Sequence, residues 1–183
     1  MIWRGLALSI AAVLLTSCVT ERTGFDYARL IEKVGPPRAG QSRIVVLREK
    51  AYGGLNDPRW DINLTDPGWD IKVDGRRLRD LKTGTYAYVD TPAGQHQLSA
   101  TASLFPGVSQ RDVSTQSGRT YFFLAKPSER AKVLDGMAVA GGVAGLLVGA
   151  AVTSGNSNPG PLDFFPLEES AARTTIAELR LAE

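Results

Sequence analysis

The sequence predicts a mainly β protein: an antiparallel β-sandwich with flanking short helices and a Gly/Ala-rich helical insertion. Three observations predict it. Between Arg43 and Lys126, short runs rich in β-branched and aromatic residues follow one another at close intervals. Turn formers separate these runs, among them Thr65-Asp66-Pro67-Gly68, Asp74-Gly75, Pro92-Ala93-Gly94 and Ser117-Gly118. Beyond them lies a segment from Gly136 to Leu162 without one charged side chain, made largely of glycine, alanine and valine.

Taken in chain order, the first element is a targeting segment. Arg4 gives a cationic start, Gly5 to Leu15 form an apolar stretch, and Thr16 and Ser17 are small. That layout is a secretory signal, and it is shorter than the roughly 20 apolar residues a bilayer span requires. The sole cysteine, Cys18, follows directly. Leu15-Thr16-Ser17-Cys18 resembles the lipobox of bacterial lipoproteins. The resemblance implies cleavage after residue 17 and a lipidated Cys18 as the mature N-terminus. Val19 in place of an aspartate implies outer-membrane sorting, facing the periplasm. With its one thiol acylated, the mature chain has no disulfide, so it folds by its core alone.

Residues 18–42 read as a tether and a short helix, with Tyr27, Leu30, Ile31 and Val34 at helical spacing, Asp26 as a cap and Gly35-Pro36-Pro37 as the stop. The sandwich is expected over 43–127. "RIVVLR" reads as a strand covered on both faces. "WDINL" and "WDIKV" flank the Pro67-Gly68 turn, which would set Ile62 opposite Ile71 and Trp60 opposite Val73. Asp74-Gly75 reads as a two-residue primed turn that places Leu78 opposite Ile71 and Arg77 opposite Lys72, with Asp61 as the partner of Lys72. "TYAYVDT", "QHQLSATASLF", "RDVSTQ" and "RTYFFLAK" supply further strands.

Residues 128–160 are the helical insertion and linker. Gly141, Gly145 and Gly149 are four apart and would line one face of a helix over 137–152. Each glycine costs a helix interior about 1 kcal/mol relative to alanine, so a row of three calls for close backbone contact. The row resembles the glycine zippers of envelope proteins, and the resemblance implies self-association or a protein partner. At about 24 Å such a helix falls short of a hydrocarbon core of about 30 Å, so a partly buried or self-associating helix is expected instead of a span. Residues 161–183 close the domain: "LDFFPLEE" as a strand with Pro166 confining it to an edge or an end, then a helix capped by Ser170 with Ala172, Ile176 and Leu179 as its buried stripe.

Composition narrows the function classes. Lys and Arg total 21 against 19 Asp and Glu, interspersed along the chain, so no basic stripe for nucleic acid exists. His96 is the only histidine and shares strand parity with Leu98, Ala100 and Ala102, which places it at the core edge instead of in a Ser-His-Asp arrangement. Asp57, Asp61, Asp66 and Asp70 are turn formers and surface acids without EF-hand spacing, and zinc lacks ligands. No catalytic residue, metal or cofactor is expected. Tyr52, in the loop "AYGGLNDP", is the one aromatic placed to face a ligand; Trp60 and Trp69 share the parity of core isoleucines.

"RIVVLR", "IKVDGRRL", "GTYAYVDTPAGQHQLSA" and "SGRTYFFLA" together resemble a family of bacterial lipoprotein domains of uncharacterised function, similar in strand pattern to PEGA-type sandwich modules. That resemblance carries no catalytic residues. The expectation is a lipid-anchored cell-envelope protein with a structural or protein-interaction role and no catalysis; a cell-wall glycan-binding module using Tyr52 is the alternative.

Overall fold

The computed structural model describes residues 28, 35–49, 69–78, 81–102, 105–155 and 157–182. The fold grows from β1 (Gln41–Arg48), whose residues from Ser42 onward are all buried. Alternate side chains of a strand point to opposite faces, so burial throughout requires a layer on each side. Ile44 and Val46 enter one core with Ile71, Val73, Leu98, Ala100, Phe123 and Phe164. Val45 and Leu47 enter a second with Tyr86, Phe122, Leu124, Ala172, Ile176 and Leu179. Two sheets and a helix therefore form three layers, and the molecule is mainly β, as the turn spacing predicts.

The four-stranded sheet is built from β2 (Asp70–Val73), β3 (Arg76–Arg77), β5 (Gln95–Thr101) and β6 (Ser109–Ser114) in the order β3-β2-β5-β6. All its pairings are antiparallel. The β2–β3 turn is the expected one: Asp74 and Gly75 take φ of 51° and 76°, Lys72 faces Arg77, and the Leu78 amide donates to the Ile71 carbonyl at 2.7 Å. The acid between the two cations is Asp70, 2.9 Å from Lys72 Nζ and 2.8 Å from Arg77 Nε. Asp61, the partner expected for Lys72, and the strand 60–64 with the Pro67-Gly68 turn lie outside the described residues. β2 already has β5 along one edge and β3 along the other, the latter extended by a bridge from Trp69 to Leu81.

The five-stranded sheet holds β4 (Thr85–Pro92), β7 (Thr120–Pro127), β8 (Leu162–Leu167) and β9 (Arg180–Leu181) around β1, in the order β8-β7-β1-β4-β9. It is mixed, not purely antiparallel: β1 runs parallel to β7, and β4 parallel to β9. A parallel neighbour needs a long crossover, and the chain from β1 to β7 passes through the whole of the other sheet. β8 occupies the edge, where Pro166 is tolerated.

Two helices follow β7 among the described residues, α1 (Glu129–Val152) in the connection between β7 and β8, and α2 (Glu169–Ile176) between β8 and β9. α2 covers the outer face of the five-stranded sheet with Ala172 and Ile176, both almost fully buried, as the stripe predicts. Its N-cap is Glu168 instead of Ser170, and Leu179, also buried, lies just past its end. At the base of α1, Pro127 pairs with Leu162, and the Ser128 amide donates to the Pro161 carbonyl at 2.9 Å.

Candidate functional site

α1 is not one straight helix. Gly142 adopts φ 57°, ψ −139°, a backbone state that interrupts the helix and suits a residue without a Cβ. A straight helix would hold residues 130 and 153 about 34 Å apart, yet Arg130 Nε donates to Thr153 Oγ1 at 3.0 Å. The second arm, 143–152, therefore folds back along the first, 129–141. Ser128 caps the start by accepting from the Ala131 amide and also donates to the Gly160 carbonyl at 2.7 Å. Arg130, buried, also reaches the carbonyls of Pro106 and Pro159 and lies over the Phe105 ring. Its many donors bind the hairpin base to two loops at once, a role no spacing in the sequence announces.

This geometry redistributes the three glycines. A Cβ on Gly149 would sit 2.8 Å from Leu134 Cδ2 and 3.0 Å from Met137 Sδ, so Gly149 is where the two arms touch. Gly145, half-buried, lies on the same arm. Gly141 precedes the break and faces open space. The expected single face of Gly141, Gly145 and Gly149 does not exist as one line, because the left-handed Gly142 reverses the chain between the first and the other two. No helix among the described residues is long and apolar enough to cross a membrane.

The second candidate is His96. It lies on β5 beside Leu98 and Ala100 and is 8% exposed. Its Nδ1 is 2.6 Å from Asp74 Oδ2 and its Nε2 is 2.7 Å from the Pro92 carbonyl oxygen. A carbonyl only accepts, so the contact with Pro92 calls for an N–H at Nε2, while Nδ1 meets the Asp74 carboxylate. Asp74 also accepts from the Gln97 amide through Oδ1 at 2.9 Å. Partial burial pushes the Asp74 carboxyl up, but the Gln97 N–H, the His96 ring and Arg76 outweigh it and hold the group below its ordinary value of 3.8. The dyad borders an open depression of about 390 Å³ lined also by Gln95, Gln97 and Asp112. With both ring nitrogens engaged, His96 clamps the β2–β3 turn to the β4–β5 turn and presents no free ring nitrogen to a substrate.

Among the remaining sequence candidates, Cys18, Tyr52 and Trp60 lie outside the described residues, as do Asp57 and Asp66. Trp69 is buried at 8% exposure with the Arg48 guanidinium stacked 3.6 Å from its ring, so it is not part of an exposed aromatic platform. Among the described residues no group of three His, Cys, Asp or Glu could hold a metal ion. Sequence reasoning missed Arg43. Fully buried in β1, it grips Asp90 of β4 with Nε at 2.6 Å and Nη2 at 2.8 Å, donates Nη1 to the Gly35 carbonyl at 2.9 Å and lies over Tyr88. The only available signal was an arginine opening an apolar run and an aspartate closing the "YVD" of a partner strand.

No protein-family model matches this chain, and no curated protein matches it either.

Proposed function

We propose that the protein is a lipid-anchored component of the bacterial cell envelope whose sandwich domain serves a structural or protein-interaction role, without catalysis of its own. The observation that carries the reading is the order Arg4, apolar Gly5 to Leu15, Thr16-Ser17, Cys18. A diacyl-type anchor adds about 0.8 kcal/mol per buried methylene, and two chains give stable attachment. Val19 after the cysteine supports the outer membrane, with the domain facing the periplasm. The role beyond anchoring draws support from His96, the chain's one histidine, which is engaged at both nitrogens.

The test is direct. Cys18→Ala is expected to leave the signal uncleaved by the lipoprotein peptidase and to abolish incorporation of labelled fatty acid; continued labelling refutes the anchor. In-cell crosslinking of the lipidated protein, followed by identification of the captured chains, tests the interaction role.

A further inference from the structure

The second arm of α1 is built inside out. Taken at about 100° per residue, Val143, Leu147, Ala151, Ala144, Val148 and Val152 follow one another across roughly half of its circumference. Every one of them is exposed, Val143 at 77%, Val152 at 69%, Leu147 at 66% and Val148 at 56%. At the same spacing Leu146 falls on the other side, together with Gly145 and Ala150, half-buried, and Gly149 and Thr153, buried toward the first arm. Helices of a water-exposed hairpin do the reverse, turning branched apolar residues inward and charges outward. Glycine at the contact with Leu134 and Met137 of the first arm, and four of this arm's five large apolar residues on the outside, are the arrangement of a helix solvated by hydrocarbon.

The geometry points to the outer side of this arm as a lipid-contacting surface, lying in the plane of the bilayer interface. Two features select lipid over a second copy of the chain, and a third sets how the arm meets it. The apolar exposure spans about half the arm, wider than the seam of a helix pair, so one partner helix would leave much of it wet. No charge occurs from Gly136 to Leu162 to set register or partner choice. The arm is about 15 Å long, half of a hydrocarbon core of about 30 Å, so it cannot span. Lying flat at a depth of about 5–10 Å, it keeps the Gly141-Gly142 reversal near the headgroups, where water satisfies the backbone groups that hydrocarbon would strand. This contact goes beyond the acyl anchor and stands without it.

The test uses the full chain with Cys18→Ser, so that an environment-sensitive fluorophore reacts at one introduced thiol, Leu147→Cys or, as control, Gln116→Cys on the exposed β6–β7 turn. With phosphatidylethanolamine/phosphatidylglycerol vesicles, the Leu147 label is expected to shift to the blue and to be quenched several-fold more by nitroxide on the acyl chain than by nitroxide in the aqueous phase, while the Gln116 label is unmoved. Adding Val148→Glu, at an exposed position that leaves the fold intact by circular dichroism, should abolish the shift. A Leu147 label that ignores the vesicles overturns the proposal. So does one already shifted without vesicles: dependence of that shift on protein concentration identifies a second copy on this face, and independence identifies another segment of the same chain. The anchor is judged separately, by acyl labelling of wild type.

Discussion

Asparagine in place of Asp74 keeps the shape of the β2–β3 turn and removes its charge. Asp74 sits at φ 51°, a region that asparagine enters as readily as aspartate, so backbone strain does not enter the comparison. What changes is the number of acceptors. The carboxylate serves the Gln97 amide at 2.9 Å and the His96 ring at 2.6 Å, one oxygen each. An asparagine has one oxygen for two donors, and its NH2 opposes whichever N–H it meets. A hydrogen bond to a charged group contributes about 1.5–3 kcal/mol when shielded. The Asp74 side chain is 42% exposed, so competition from water brings the expected loss to about 1 kcal/mol. Because the folded-state carboxyl titrates below 3.8, its contribution is present above that pH and is lost as pH falls through the lower, folded value. Urea unfolding of wild type and Asp74→Asn should show a lower midpoint at unchanged slope in the variant between about pH 5 and 7, and the two curves should converge as the solution is acidified below about pH 3.8. A gap that persists undiminished in acid would refute the charge argument, and no gap at neutral pH would show that the clamp contributes nothing.

Four further outcomes are expected. Gly75→Val, at φ 76°, should destabilise the domain by about 1–3 kcal/mol through strain alone, since a Cβ there meets no atom within 4 Å; an unchanged urea midpoint would contradict the turn. Gly149→Ala and Gly136→Ala should move in opposite directions: at Gly136, with open space around it, alanine gains up to about 1 kcal/mol of helix propensity, whereas at Gly149 the new methyl presses on Leu134 and Met137 at a cost of about 1–3 kcal/mol. Thermal melts that rank the two variants the other way would show that the arms do not meet at Gly149. Asp90→Asn should cost about 2–3 kcal/mol by weakening the bidentate grip on the fully buried Arg43, readable as a drop in denaturant midpoint.

Strand positions were legible because their delimiters act locally. Asp74-Gly75 dictates a primed turn through two positive φ angles, and that turn alone aligns Lys72 with Arg77 and Leu78 with Ile71. The stripe Ala172, Ile176 and Leu179 was legible for the same reason, being a short-range pattern against a single surface. Non-local pairings were not. Nothing within "RIVVLR" distinguishes a parallel neighbour from an antiparallel one, and β7 reaches β1 only after the second sheet has been made. The reversal at Gly142 hid among flanking glycines and alanines, where any of several positions could have broken the helix, so a four-residue spacing looked like a continuous face. Arg43 and Arg130 illustrate a further limit. Their burial is favoured by acceptors that only the fold assembles, Asp90 on another strand in one case and loop carbonyls in the other.

The closure of α1 at its base has a consequence for how this chain can change. Pro127 and Leu162 are paired across adjacent antiparallel strands, and the Ser128 amide already meets the Pro161 carbonyl. Everything between them leaves and re-enters the domain through one narrow neck. A neck that short could equally be bridged by a tight hairpin turn, and loop-closure entropy grows only slowly with the length it encloses. Beyond the base that Arg130 ties to the loop at Phe105 and Pro106, the projecting hairpin is thus an excisable cassette: it can be lengthened, shortened or exchanged while the sheet beneath keeps its register, so its outer sequence is free to answer to its surroundings and not to the sandwich core.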